Sequence, residues 1–198
     1  ELLTFIFVSS MKTSEYFKIG FKNVKDDEKD YRLLASWYQN PEIYKYLTKK
    51  RLNIWDVQDL YKEAVKVNGR HRALFFMYNE EILGVIKYKL FNQHANGFLG
   101  IDEELIYEMK VILKDPSEKN IKAMTMALEL ACYNLEEKNG IDRVLMFPMK
   151  DNKAVIKGAK KAGFRKRGTF EDNGSEYLIL EYNKMYFANN DPTKKIVI

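Results

Sequence analysis

Apolar positions recur along this chain in two rhythms, one near 3.6 residues and one of two, and the switches between them mark its elements. Residues 16–24 (YFKIGFKNV) predict a first strand. Asp27 then opens a helix, with Asp30 three positions on in a capping-box pattern. Tyr31, Leu34, Ala35 and Tyr38 follow at helical spacing, and Leu33 and Trp37 widen the stripe. Asn40-Pro41 breaks this helix, and a short helical turn is expected over 42–47. Asn53 reads as the next N-cap, with Asp56 at its third position. Val57, Leu60, Tyr61, Ala64 and Val65 form the apolar face, and Asn68-Gly69 ends the helix.

The period then shortens to two. Residues 73–78 (ALFFMY) and 82–90 (ILGVIKYKL) predict a hairpin around the three residues Asn79-Glu80-Glu81, and 105–113 (LIYEMKVIL) predict a further strand. Asp115-Pro116-Ser117 opens a long helix with Ile121, Met124, Leu128, Cys132 and Leu135 on its inner face, closed by Asn139-Gly140. Residues 143–148 predict a strand. Asp151 is expected to cap a helix that buries Val155, Ala159 and Ala162 and stops at Gly163. Residues 165–170 and 176–182 face each other across Asn173-Gly174, a strong hairpin signal. Strand, two helices, a meander, then helix, strand, helix and a hairpin is an α+β order.

Composition narrows the class. The chain has 198 residues with 46% apolar and 14% aromatic residues, enough for a substantial core in one domain. Its net charge of +5 favours an anionic partner, but 33 basic residues face 28 acidic ones without a concentrated patch. A nucleic-acid-binding domain therefore ranks last, since no RNA or DNA motif accompanies the charge. Cys132 is the single cysteine, so an internal disulfide is impossible and a cytoplasmic location is expected. With that cysteine and only His71 and His94, no metal site is expected. Both histidines are expected in surface loops, and Cys132 in the core. Residues 2–8 (LLTFIFV) are too short to span a bilayer and lack the basic start of a signal peptide, so no membrane partner is expected. Residues 1–13 read as an N-terminal extension, either sequence ahead of Met11 or an extra strand. An exposed strand there would favour a homodimer. Residues 14–184 read as the domain and 185–198 as a polar tail.

Two stretches carry a family resemblance. Asp151-Asn152-Lys153-Ala154-Val155-Ile156-Lys157-Gly158-Ala159-Lys160-Lys161-Ala162-Gly163-Phe164 resembles the late segment of GNAT acyltransferases, an asparagine-opened helix ending in Gly-Phe. Leu34-Ala35-Ser36-Trp37-Tyr38-Gln39-Asn40-Pro41-Glu42-Ile43-Tyr44-Lys45-Tyr46-Leu47 is similar to the early helices of the branch that acetylates ribosomal-protein N-termini and some antibiotics (RimJ/RimL-like). The order of elements between them agrees.

The resemblance implies a mixed sheet of six to seven strands with about four helices. It also implies a thioester cofactor, acetyl-CoA, lying between two splayed central strands, here 105–113 and 143–148. Val111, Ile112 and Leu113 would offer backbone to the pantetheine arm. The helix start at Lys119, Asn120, Ile121, Lys122 and Ala123 would face the diphosphate. Asn152 would lie near the pantetheine arm. The sequence departs from the family at two points. Lys122 and Met124 stand where the phosphate loop usually has glycines, and Ala159 stands where many members have a tyrosine acid. Glu108 is the candidate general base. Trp37, Tyr38, Tyr44 and Tyr46 are candidates for the acceptor pocket. The implied function is an N-acetyltransferase acting on a small-molecule or peptide amine. The alternative is a GNAT-fold acyl-CoA-binding or regulatory module with little or no catalysis.

Overall fold

The computed structural model describes residues 18–48, 50–66, 71–91 and 105–183. The N-terminal apolar stretch, Asn68-Gly69, His94 and the tail fall outside them. The chain order is β1 (Ile19–Asn23), α1 (Glu28–Tyr38), α2 (Pro41–Tyr44), α3 (Ile54–Tyr61), β2 (His71–Tyr78), β3 (Glu81–Leu90), β4 (Ile106–Leu113), α4 (Glu118–Asn139), β5 (Arg143–Met146), α5 (Lys153–Lys161), β6 (Arg165–Asp172) and β7 (Ser175–Asn183). The strands form one seven-stranded sheet in the order β1-β2-β3-β4-β5-β7-β6. Every neighbouring pair is antiparallel except β4 and β5. This is the α+β architecture expected; among the described residues there are seven strands, within the six to seven implied, and five helices where about four were implied.

Each face of the sheet has its own helical cover. Leu83, Ile86 and Tyr88 of β3 and the odd-numbered positions of β4 join α4 and α5 in one core: Ile86, Met109 and Val111 pack with Met124, Leu128 and Val155. All five predicted inner-face residues of α4 are buried there, Cys132 among them. Each large side chain removed from water in this way contributes about 1.5–3 kcal/mol. Gly158 of α5 allows the two helices to meet, because a Cβ there would lie 2.0 Å from the Met124 methyl. On the opposite face α1, α2 and α3 cover Ala73, Phe75, Val85 and Ile112.

Local sequence chemistry explains most boundaries, with some corrections. Asp27 caps α1 by accepting the Asp30 N–H at 2.8 Å. The Asp30 carboxylate accepts the Lys25 N–H at 2.9 Å and meets Lys22 at 3.4 Å, so it ties α1 to β1. The reciprocal capping box is found instead at Asn53 and Asp56. The Asn79-Glu80-Glu81 hairpin turns on two residues rather than three. Asn79 and Glu80 both have positive φ, as a type I′ turn demands, and Glu81 already pairs with Tyr78. His71 lies in β2 rather than a loop. Asn152, not Asp151, caps α5. The α5 end is a Schellman closure: Phe164 N–H bonds the Ala159 carbonyl at 3.0 Å and Gly163 N–H the Lys160 carbonyl at 3.2 Å.

The α3 helix is shorter than its apolar pattern. It ends at Tyr61, where Ala64 N–H turns to the Tyr61 carbonyl at 2.8 Å. The Leu60 carbonyl instead accepts Lys87 Nζ from β3 at 2.6 Å. A tertiary hydrogen bond has replaced a helical one. Among the described residues, no helix is long and apolar enough to cross a membrane.

Candidate active site

The strands β4 and β5 run parallel, but their pairing covers three residues: Ile106 with Arg143, Tyr107 with Val144 and Glu108 with Leu145. Beyond this point each strand follows a different neighbour. β4 stays with β3 as far as the Leu113–Gly84 pair. The chain leaving β5 stays with β7: Pro148 accepts the Leu178 N–H at 2.9 Å, and Lys150 N–H bonds the Glu176 carbonyl at 2.9 Å. A wedge opens between them, and among the described residues the β5-side edge of β4 beyond Glu108 has no strand partner.

A cleft of about 680 Å³ occupies this wedge and spreads over the sheet face toward α1 and α3. Met109, Val111 and Ile112 line one wall, and Met146, Pro148, Asn152 and Val155 the other. Tyr38, Tyr46, Leu60 and Tyr61 close it from the helical layer. Phe91, Phe147, Phe170 and Tyr177 supply rings. Phe147 meets Phe91 at 5.7 Å and Phe170 at 5.8 Å, and Phe170 stacks on Tyr177 at 5.2 Å.

Glu108 stands on the cleft floor where β4 and β5 part. It is 8% exposed and lies between Lys89 Nζ at 3.1 Å and Lys110 Nζ at 3.2 Å. Burial works against its charge, but Lys110 and Lys89 outweigh it and hold the carboxyl below its ordinary value. Glu108 is therefore ionised at neutral pH. Lys87 stands beside this group. Burial, then repulsion from Lys110 and Lys89, lowers its ammonium to about 8, although Glu108 acts in the other direction. Its Nζ sits 5.0 Å from the Tyr61 ring centre. Burial raises the Tyr38 hydroxyl to about 12 and also raises its neighbour Tyr61 well above its ordinary value, so both remain neutral phenols.

The structure gathers some sequence candidates and separates others. Glu108, Val111, Ile112, Asn152, Tyr38 and Tyr46 line the cleft. Leu113 is buried at the end of β4. Trp37 is buried beneath α1, edge-on to Phe75 at 6.0 Å, so it belongs to the core. Tyr44 is half-buried and does not line the cleft. Asn152 uses its side-chain oxygen to cap α5, accepting the Val155 N–H at 3.3 Å.

The proposed phosphate segment forms the first turns of α4. Lys119 and Lys122 are exposed, whereas Asn120, Ile121 and Ala123 are buried. Lys119 Nζ contacts Glu81 at 2.7 Å, and Lys114 contacts the same carboxylate at 3.2 Å. A diphosphate here would compete with Glu81. Met124, where the resemblance leads one to expect glycine, is fully buried against α5 and belongs to the core. Ala159 is also fully buried, so no hydroxyl reaches the cleft from that position.

Sequence reasoning missed the cationic and ring-bearing residues, Lys87, Lys89 and Lys110 with Phe91, Phe147, Phe170 and Tyr177. Two signals were present. Lys87 and Lys89 are alternate residues of β3, and Glu108 and Lys110 are alternate residues of β4, so each pair shares a face. Only the register, Lys87 with Lys110 and Lys89 with Glu108, brings the pairs together.

Among proteins of curated function, none matches this sequence. Solved structures do share its shape. The aminoglycoside acetyltransferase AAC(6')-Ib, in complex with coenzyme A and kanamycin, superposes with a TM-score of 0.68 at 18% identity, covering 87% of this chain and 98% of that one. RimL, a ribosomal L7/L12 alpha-N-protein acetyltransferase in complex with coenzyme A, gives 0.65 at 12%, covering 84% and 94%. The microcin C7 self-immunity acetyltransferase MccE, in complex with acetyl-CoA and AMP, gives 0.64 at 19%, covering 84% and 92%. At these identities the likeness concerns the fold. The family model for the acetyltransferase (GNAT) domain matches residues 20–165, most of the chain and both sides of the wedge, and the protein therefore belongs to the GNAT acetyltransferase family.

Proposed function

We propose that the protein is an N-acetyltransferase that moves an acetyl group from acetyl-CoA to a primary amine by direct attack. The observation that carries this reading is the three-residue pairing of β4 and β5, which leaves an open strand edge inside a cleft. An open edge can bond the amides of an extended chain as an added strand would. Val111, Ile112 and Leu113 are the edge residues assigned to the pantetheine arm, and Asn152 lies across the wedge from them. The first turn of α4 offers N–H groups and its dipole to a diphosphate. Lys119 and Lys122 add charge there, with Glu81 as a competitor for Lys119.

Bound acetyl-CoA supplies the thioester carbonyl that the amine attacks. The protein's contribution is chiefly to hold the amine near that carbon, an effect able to supply several kcal/mol. Glu108 is the group assigned to the amine. Its ionised carboxylate is placed to align the amine through a hydrogen bond and to accept a proton from the nitrogen as the new bond forms. Ala159 offers no acid to the leaving group, so any proton for it would have to come from elsewhere in the cleft, where Tyr38, Tyr46, Tyr61 and Tyr177 present phenols.

Release of free CoA thiol with acetyl-CoA and a panel of amines tests this reading. Amine-dependent release supports it. The alternative, a binding module without catalysis, is favoured by Lys122 and Met124 at the glycine positions. That alternative predicts tight acetyl-CoA binding with no release above the buffer rate.

A further inference from the structure

We infer that the acceptor side of the cleft is built for a small amine that also carries a carboxylate or phosphate, held by Lys87, Lys89 and Lys110 with its apolar body against Phe147 and Phe170. This rests on the transferase reading and adds the acceptor class.

The charge pattern is the first support. Antiparallel register places Lys87 opposite Lys110 and Lys89 opposite Glu108 on the same sheet face. Like charges directly opposite one another destabilise a sheet. Glu108 pairs with two of the three ammonium groups, so the block retains positive charge. Among the described residues lining the cleft, the one further charged side chain is Asp172, at the end of the β6–β7 hairpin. Lys87 is half-buried, with the Leu60 carbonyl and the Tyr61 ring as its partners. An ammonium removed from water in this way lacks a full counter-charge, and a bound anion would supply one. A polycation such as kanamycin would be repelled.

The walls and the size supply the rest. Phe170 is 39% exposed although it is aromatic, and it belongs to the run of rings that continues through Phe147. These rings line the same cleft as the lysines and offer it an apolar face. The cleft's roughly 680 Å³ also has to admit the pantetheine arm, which leaves room for a small acceptor. Glu108, already between Lys89 and Lys110, is placed to receive the amine of a molecule whose anion sits on those lysines.

Tyrosine and tyramine, identical but for the carboxylate, are the decisive probes, with kanamycin and an acidic hexapeptide alongside. Expected is a kcat/KM for tyrosine at least about tenfold above tyramine, a preference that shrinks in high salt and in Lys110→Gln, with kanamycin not acetylated. Equal or better turnover of tyramine or kanamycin would overturn the inference and leave the transferase standing. Faster turnover of the hexapeptide than of tyrosine would overturn the small-molecule assignment. The same charge question is read by calorimetry, whether or not thiol is released, using CoA-saturated protein with N-acetyltyrosine and N-acetyltyramine. Preference for the carboxylate without turnover keeps the anion site on the lysines and removes the transferase reading. Absence of preference removes the acceptor class.

Discussion

Two buried carboxylates, Glu108 and Glu181, lie on the same face of this sheet on either side of the β4–β5 junction, and each is held between two cations. Glu181, 2% exposed on β7, meets Arg143 of β5 at 3.3 Å and Arg167 of β6 at 2.7 Å. Glu108 meets Lys89 and Lys110, whose side chains are 46% and 63% exposed. Arginine presents a planar fork that locks onto a carboxylate, whereas lysine is a mobile point charge on a long stem. Glu181 therefore staples three strands together. Glu108 sits among partners that can swing aside, on the floor of a cleft. The same motif, a carboxylate between two cations, thus joins strands in one place and faces an open cleft in the other.

The contrast can be broken experimentally. Glu181→Gln should cost about 3 kcal/mol of stability in urea denaturation, because it strands two guanidinium groups on neighbouring strands. A loss below about 1 kcal/mol would end its role as a staple. Glu108→Gln should do the reverse, lowering kcat about a hundredfold in the thiol-release assay while stability changes little. If that variant unfolds easily and the remaining folded protein turns over normally, the two carboxylates have the same role.

Lys87 gives a finer test through pH. Its folded pKa of about 8 lies below the ordinary lysine value. Below pH 8 it is charged in both folded and unfolded chains, and the cost of burying that charge is fully present. Between about pH 8 and 10.5 the folded amine is neutral while the unfolded one still holds its proton, so stability from this group rises with pH. The stability gained by Lys87→Met at pH 7 should therefore shrink by on the order of 2 kcal/mol by pH 10.5. Denaturant titrations of both proteins across that range check this, and parallel curves would show that Lys87 is not strained. The smallest effect belongs to α4. Glu81→Gln releases Lys119 and Lys114 from their carboxylate and should tighten acetyl-CoA binding about threefold at low salt, less at high salt. Weaker binding in calorimetry would argue against Lys119 at the diphosphate.

Much of this fold was legible because local signals and tertiary packing agree. The Asn173-Gly174 turn needs two positive-φ residues and has them, and the α4 stripe from Ile121 to Leu135 is buried as its spacing requires. Legibility failed where distant groups intervene. Nothing near Leu60 reveals that a lysine from β3 will take its carbonyl and stop α3. Trp37 satisfies the same periodicity whether it lines a pocket or fills a core, and the structure puts it in the core. Resemblance pointed to β4, and Glu108, Val111 and Ile112 of that strand do line the cleft. The lysine block was not legible, because strand register is a relation between two segments and neither one encodes it alone.

The short contact between β4 and β5 has a mechanical consequence. Three residue pairs join a half-sheet of β1 to β4 to a half-sheet of β5 to β7, so this seam is the thinnest place in the hydrogen-bonded network. Amide protons along β5 should exchange with solvent sooner than those at the centre of β3, and a ligand seated in the wedge would act as a rivet across the seam, slowing exchange in both halves together.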